Sequence, residues 1–184
     1  ENAFAEDQIR FNQLLAFIYQ DLKKFTEAKK AYLSIIDLAS AYYEYDIISE
    51  IEIAIKDLNY SSFLIDNNEF DEANKELEKA FEIIQKTQTK QGYELAEYYY
   101  LKGFYNRQLP IQNSNVLEFS RIKKKNLYDA ISWFKQALVA LKFPHDYSIK
   151  SIDDSENWIS LFDCIDYLKN IADTYKQIAE VEQN

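Results

Sequence analysis

The stretch Phe25-Thr26-Glu27-Ala28-x3-Tyr32-x2-Ile35 returns twice further along the chain, as Phe70-Asp71-Glu72-Ala73-x3-Leu77-x2-Ala80 and as Leu127-Tyr128-Asp129-Ala130-x3-Phe134-x2-Ala137. Each copy reads apolar, any residue, acid, alanine, then a large apolar residue four positions on and a small or apolar residue seven positions on. Steps of four and seven keep side chains on one face of a helix. This internal similarity predicts a repeated helical unit.

The composition favours helices over strands. Hydrophobic residues make up 47% of the 184 residues, so the chain can build a substantial core. It contains only 2 Gly and 2 Pro. Because β-rich folds need many turns and turns favour these two residues, their scarcity predicts an all-α fold of long helices joined by few loops.

The charge balance excludes some partners. The formal net charge is -10, so the chain repels the phosphates of nucleic acids and of anionic membranes. The basic cluster Arg121-Ile122-Lys123-Lys124-Lys125 is interpreted as a solvated loop. No apolar run approaches the roughly 18 residues that span a bilayer, so we expect no direct membrane insertion.

Few residues could support catalysis. His145 and Cys164 are the only residues of their types, which excludes a His-rich zinc site or a di-iron site within one chain. Cys164 stands among apolar helix positions and is interpreted as a buried thiol. The acidic pairs Asp153-Asp154 and Asp163-x2-Asp166 are interpreted as helix caps and solvated charges. We therefore expect no enzyme activity, no metal and no cofactor. An enzyme that uses these acidic pairs with a metal is kept as the third alternative.

The lone cysteine permits no intrachain disulfide and fits a reducing compartment, so we expect a cytoplasmic location. The chain begins at Glu1 and contains no Met, from which we expect that an N-terminal segment has been removed. A lost signal peptide or lipid anchor stays open.

Helical periodicity begins near the N-terminus. Phe11, Leu14, Leu15, Ile18 and Leu22 recur at steps of three and four, which predicts a first helix with an apolar face. Further helix boundaries follow from turn and cap signals: Asp46 or Ser49 as a cap, Asp66-Asn67-Asn68 as a turn, Gly92 and Pro110 as breaks. We predict one domain over 1–184, in which three helix pairs span about 8–44, 46–88 and 93–142. An insertion in the third pair, at 109–126, is interpreted as a loop or short irregular helix. A terminal capping helix follows at about 155–181.

The first helices of the pairs also correspond. Ala16 and Ser61 each lie 12 positions before the repeated alanines Ala28 and Ala73. A small residue at this position lets two helix backbones approach closely. In the third pair Lys102 occupies the corresponding place, so the match there is weaker.

These residues resemble the tetratricopeptide repeat family. That family has Leu-Gly/Ala-x2-Tyr in the first helix of a repeat and Tyr-x2-Ala-x3-Tyr/Phe-x2-Ala in the second, and the stretch from Leu15 to Tyr32 matches it best. The resemblance implies antiparallel helix pairs in a right-handed superhelix, with about seven helices here. The 45 residues from Ala28 to Ala73 exceed the family repeat of about 34. Longer helices of this kind resemble those of peptide-responsive bacterial regulators.

The resemblance also implies a function and a site. Family members bind proteins or peptides in a concave groove lined by first helices. We therefore expect a protein-interaction scaffold with a basic or neutral partner, and keep a peptide- or ligand-sensing module of a multidomain regulator as the alternative. The corresponding partner-binding positions are Arg10, Gln13, Phe17, Gln20, Ser62, Asp66, Tyr99, Asn106 and Arg107.

We do not expect this chain to belong to the chaperone-binding subtype of the family. Domains that hold the acidic C-termini of heat-shock chaperones use a clamp of two Lys, two Asn and an Arg. The residues at the matching places of this chain are Gln13, Phe17, Asn59, Ala96 and Tyr100. Only Asn59 carries a side chain that suits such a clamp.

Overall fold

Seven α-helices and no strands form the part of the chain that the structure describes, which confirms the predicted all-α fold. This computed structural model describes residues 2–87, 92–111, 115–141 and 155–183, and the side chains within 4–87, 92–111, 115–141 and 165–182. The helices are α1 (Asn2–Asp21), α2 (Phe25–Glu44), α3 (Glu50–Asp66), α4 (Phe70–Lys86), α5 (Tyr93–Gln108), α6 (Val116–Ala140) and α7 (Ser155–Gln183).

The helices belong to two compact units, Glu1–Gln88 and Thr89–Asn184. In the first unit the most extensive contacts join α1 to α2 and α3 to α4, and α2 also packs on α3. In the second unit α5 packs on α6, and α6 packs on α7. Each sequence-predicted pair therefore lies within one unit.

The repeated alanines lie in the core. Ala28, Ala73 and Ala130 are all completely buried. Ala16 and Ser61, the small residues predicted to lie opposite the first two alanines, are also completely buried. Their small side chains let the large residues around them interdigitate, as close packing of a core requires.

In the third pair the small residue is Gly103 and not Lys102. A Cβ atom on Gly103 would lie 2.4 Å from Cε1 of Phe134, the large aromatic residue of the third motif copy. The spacing of seven from buried Ala96 to Gly103 also matches the spacing from buried Ala54 to Ser61. The repeat alignment of α5 is therefore shifted by one residue from the sequence-based one.

The segment predicted as a loop or short irregular helix at 109–126 is largely helical. The α6 helix begins at Val116, because Asn115 Oδ1 caps it by accepting a hydrogen bond from the Glu118 backbone N–H at 2.9 Å. The basic cluster Arg121–Lys125, predicted to be a loop, therefore lies on a helix. One of its ammonium groups, Lys123 Nζ, donates a hydrogen bond to the Arg107 carbonyl at 2.9 Å.

The helix boundaries in the first unit follow the predicted signals. Ser49 and Glu52 form a capping box at the start of α3. The α3 helix ends at Asp66, and Asn68 adopts a positive φ of 62° in the turn that follows. In the second unit Gly92 precedes α5 with φ 147°, a backbone conformation that favours glycine.

The first helix starts at Asn2, earlier than the predicted position near Gln8. It is buried through Ala5, Ile9 and Ala16. The large residues of its periodic apolar face, such as Phe11, lie mostly in solvent instead. Apolar periodicity located this helix correctly but did not identify the face that packs on α2.

No helix in the described part of the chain combines the length and apolar character needed to cross a membrane.

Candidate functional site

Four of the predicted partner-binding residues share one face of α1. Arg10, Gln13, Phe17 and Gln20 are separated by three, four and three positions, so they lie above one another along the helix. Arg10 is exposed and pairs with Glu6 at 3.6 Å. Phe17 is 57% exposed although it is a large apolar residue. This face is therefore amphipathic and open to solvent.

The corresponding face of α3 carries Asn59, Ser62 and Asp66, again at steps of three and four. A depression of about 230 Å³ lies between this face and α1. We call it the α1–α3 groove and define it by its lining residues: Phe17, Gln20, Asp21, Tyr32, Asn59, Ser62 and Phe63. The structure thus brings together the predicted residues Phe17, Gln20 and Ser62.

The floor of the α1–α3 groove is aromatic and held in place. The Tyr32 hydroxyl donates a hydrogen bond to Gln20 Oε1 at 2.8 Å. The Tyr32 ring packs on Phe63 and on Tyr60, with centroid distances of 5.0 Å and 5.8 Å. Sequence reasoning placed Tyr32 in the repeat motif but did not predict it in the groove. Its hydroxyl is the feature that distinguishes it from Leu77 and Phe134 at the equivalent positions.

The groove has an acidic character. Asp21 lines it, and Asp66 lies close enough to Tyr32 to affect its ionisation. Burial first and the Asp66 charge second raise the pKa of Tyr32 to about 12, so the phenol remains a neutral donor at physiological pH. Partial desolvation also raises the pKa of Asp66. A cationic or hydrogen-bond-donating ligand would complement these groups.

The predicted residues of the second unit lie in different surroundings. Tyr99 packs its ring on Trp133 of α6 at a centroid distance of 5.6 Å and an interplanar angle of 23°. Asn106 Nδ2 donates a hydrogen bond to the Lys102 carbonyl at 2.8 Å. Asn106 also lines a depression of about 420 Å³ between α5 and α6 that includes Trp133 and Asp129.

Arg107 contacts the last helix. Its Nη1 donates a hydrogen bond to Asn170 Oδ1 of α7 at 2.7 Å, and its guanidinium stacks 4.4 Å from the Phe104 ring centroid. Burial lowers the pKa of Arg107, although the nearby Tyr100 and Asp173 oppose the shift. The Tyr100 ring also stacks on Tyr167 of α7 at 4.3 Å. Within the second unit, α7 therefore covers the side of α5 on which Arg107 lies.

Within the described ranges, no group of three or more His, Cys, Asp or Glu side chains could hold a metal ion. The residues weighed for an enzyme site, His145, Asp153 and Asp154, lie outside the described residues, as do the side chains of Asp163 and Cys164.

Neither the protein-family models nor the curated proteins gave a match to this chain.

Proposed function

We propose that the chain is a tetratricopeptide-like interaction scaffold whose α1–α3 groove binds a peptide or an extended segment of another protein. The observation that carries this proposal is the exposed Phe17 ring beside a solvent-accessible row of amide, hydroxyl and carboxylate groups. Exposed aromatic residues next to hydrogen-bonding side chains are typical of binding hot spots.

The chemistry of the groove defines the class of ligand. Phe17 offers an apolar contact, and Asn59 and Ser62 offer amide and hydroxyl groups for a peptide backbone. Asp21 and Asp66 favour a ligand that carries Lys, Arg or a free amino terminus. The net charge of -10 makes nucleic acid an unsuitable partner. The lone cysteine suits a reducing compartment, so we place this function in the cytoplasm.

The groove is also prepared for binding. The hydrogen bond between Tyr32 and Gln20 and the packing of Tyr32 on Phe63 fix the floor before a ligand arrives. A fixed site loses less conformational entropy when it binds, which supports recognition of a flexible segment.

A random 12-residue peptide display library, selected on the folded chain, tests this proposal. Selected peptides are then titrated by fluorescence anisotropy against the wild-type protein, Phe17→Ala and Phe11→Ala. Phe11 is the matched control, because it is the same residue type on the same helix and is 61% exposed. We expect Phe17→Ala to raise Kd about tenfold or more while Phe11→Ala leaves it unchanged. Equal effects of the two substitutions, or no enriched peptide, would contradict the proposal.

A further inference from the structure

Several polar side chains in or beside the α1–α3 groove make no hydrogen bond or ion pair with the residues that the structure describes. They are Asp21, Asn59, Ser62 and Asp66. Similar side chains elsewhere in the first unit are engaged by the fold: Ser61 Oγ donates a hydrogen bond to the Asp57 carbonyl at 2.7 Å. Asn67 Nδ2 likewise donates to the Phe63 carbonyl at 2.8 Å. The groove therefore offers donors and acceptors that this part of the fold does not use and that a ligand can bind.

The charged groups among these side chains are carboxylates at helix ends. Asp21 is the last residue of α1, and Asp66 is the last residue of α3. The carbonyl groups at a helix C-terminus add partial negative charge, which a nearby cation stabilises. Neither helix has a basic residue in its last turn, and none of the residues that line the groove is basic. Lys23 and Lys24 follow α1, but they are exposed and form no ion pair with either carboxylate.

An apolar surface leads to these carboxylates. Phe17 lies one helical turn before Asp21 and is 57% exposed, and Phe63 also lines the groove. The rise along α1 from Phe17 to Asp21 is about 6 Å, close to the length of an extended lysine side chain. Lysine packs its methylene groups along apolar surface and keeps its charged end among polar groups. The groove presents these two surfaces in that order.

We propose that the segment bound in the α1–α3 groove is anchored by a lysine, whose methylene groups lie against Phe17 and whose ammonium group is bound by Asp21 and Asp66. This inference rests on the proposed function and names the residue that the groove recognises. Ser62, one turn before Asp66, supplies a hydroxyl as a third acceptor. Lysine fits better than arginine because these acceptors come from two helices, and a compact ammonium group donates in three directions. A planar guanidinium pairs best with both oxygens of one carboxylate.

The surroundings of Asp66 support this assignment. Partial burial raises the pKa of Asp66, because the charged carboxylate is desolvated and no described cation pairs with it. The ammonium group of a bound lysine would supply that missing charge. An ion pair in a partly desolvated groove is stronger than one in open solvent. Asp66 is therefore the residue at which a loss of charge should weaken binding clearly.

Peptide selection from the 12-residue library, on the wild type and on Asp66→Asn, gives the first test. We expect peptides selected on the wild type to share a lysine at one position, and peptides selected on Asp66→Asn to lack this preference. Asp37→Asn is the matched control, because Asp37 is an exposed aspartate on α2 and its substitution removes the same charge. Selection on this control should return the same lysine as the wild type. Circular dichroism establishes that each variant is folded.

Fluorescence anisotropy gives the second test, with a selected peptide that carries either its lysine or norleucine at that position. Norleucine keeps the four-carbon chain and lacks the ammonium group. We expect the norleucine peptide to bind the wild type about tenfold or more weakly than the lysine peptide. Asp66→Asn should weaken the lysine peptide by a similar factor and leave the norleucine peptide unchanged, since both changes remove one contact. Asp37→Asn should change neither Kd.

The outcomes separate this inference from the proposed function. Peptides that need Phe17 but share no lysine, or that share arginine instead, would overturn the lysine anchor and leave groove binding in place. Equal binding of the lysine and norleucine peptides would overturn it in the same way. An equal loss in Asp37→Asn and Asp66→Asn would assign the effect to net charge and not to the groove. If no peptide is enriched at all, both the proposed function and the lysine anchor are wrong.

Discussion

The Tyr32 hydroxyl on α2 donates a hydrogen bond to Gln20 Oε1 on α1, with 2.8 Å between the two oxygens. Tyr32 is also the large residue of the first motif copy, four positions after the buried Ala28. One side chain therefore joins the packing of the first helix pair to the floor of the α1–α3 groove. Changes at this residue should affect both stability and binding.

Substitution of Tyr32→Phe removes this hydrogen bond but keeps the ring that packs on Phe63 and Tyr60. We expect the free energy of unfolding to fall by about 1 kcal/mol, the usual net value of such a bond. Urea unfolding followed by circular dichroism measures it. Tyr45→Phe is the control, because Tyr45 is 76% exposed and its substitution should change nothing. If Tyr32→Phe lowered the free energy of unfolding no more than Tyr45→Phe does, the hydrogen bond would not be formed in solution.

Substitution of Gly103→Ala places a Cβ atom 2.4 Å from the Phe134 ring. Overpacking of a core lowers the free energy of unfolding by about 1–3 kcal/mol, whereas the better helix propensity of Ala raises it by about 1 kcal/mol. We therefore expect a lower Tm for Gly103→Ala, although the same change in an open helix position raises stability. Lys102→Ala, on the neighbouring residue, should have little effect. If Lys102→Ala were the more damaging of the two, the one-residue shift of the repeat alignment would be wrong.

Stability should fall as the pH rises towards neutrality, because of Asp57. Burial first and the Glu76 charge second raise the pKa of Asp57 from 3.8 to about 7, while Lys79 acts in the opposite direction. The folded state therefore binds the proton more tightly than the unfolded state. The stability that Asp57 contributes through this difference is fully present below the unfolded pKa of 3.8 and is lost as the pH rises through the folded pKa.

Calorimetry at pH 5.5 and pH 8 measures the effect of Asp57. Between pH 5.5 and pH 8, we expect the free energy of unfolding to fall by about 1–2 kcal/mol more in the wild type than in Asp57→Asn. The comparison with the variant removes the contribution of all other titrating groups. Identical losses in the two proteins would show that Asp57 is not protonated in the fold.

Glu72 should produce the opposite pH dependence. It accepts hydrogen bonds from Lys29 Nζ at 2.5 Å and from the Tyr60 hydroxyl at 2.6 Å, and these two bonds, with Lys29 the larger cause, lower its pKa. The stability that ionised Glu72 contributes is present above the unfolded pKa of 4.5 and is lost as the pH falls through the lower folded pKa. Because the Lys29 and Glu72 side chains are about one third exposed, we expect Glu72→Gln to cost only about 1 kcal/mol at pH 7.

The measurement for Glu72 is acid unfolding followed by circular dichroism. Glu72→Gln should lose less stability than the wild type as the pH falls below 4.5. Glu44→Gln, an exposed residue at the end of α2, should follow the wild-type curve. Parallel curves for the wild type and Glu72→Gln would exclude this network as a source of stability.

Much of the fold was predictable because its signals are local. Apolar spacing located the helices, and the motif alanines Ala28, Ala73 and Ala130 are buried as the repeat requires. Gly103 was missed because the sequence alignment put the preceding residue, Lys102, at the small-residue position, and only the Phe134 ring shows which backbone approaches closely. The start of α6 was missed because Asn115 is equally suitable for a turn and for a helix cap.

The candidate site was predictable in the first unit and less so in the second. Helical spacing places Phe17 and Gln20 on one face of α1, and the resemblance to the repeat family assigned them, with Ser62, to a groove lined by first helices. Spacing does not show which elements cover a face, so it could not show that Arg107 contacts Asn170 of α7. For the same reason it could not show that Phe11 is exposed rather than buried. Coverage of a face depends on contacts between distant segments, which a local pattern does not contain.

The most direct test of the groove is amide chemical-shift mapping of the isotope-labelled chain during titration with a selected peptide. The account predicts that the largest shifts lie along Arg10 to Asp21 on α1 and Asn59 to Asp66 on α3. It also predicts that they disappear in Phe17→Ala. Largest shifts along α5 to α7 would contradict the account and place the binding surface elsewhere.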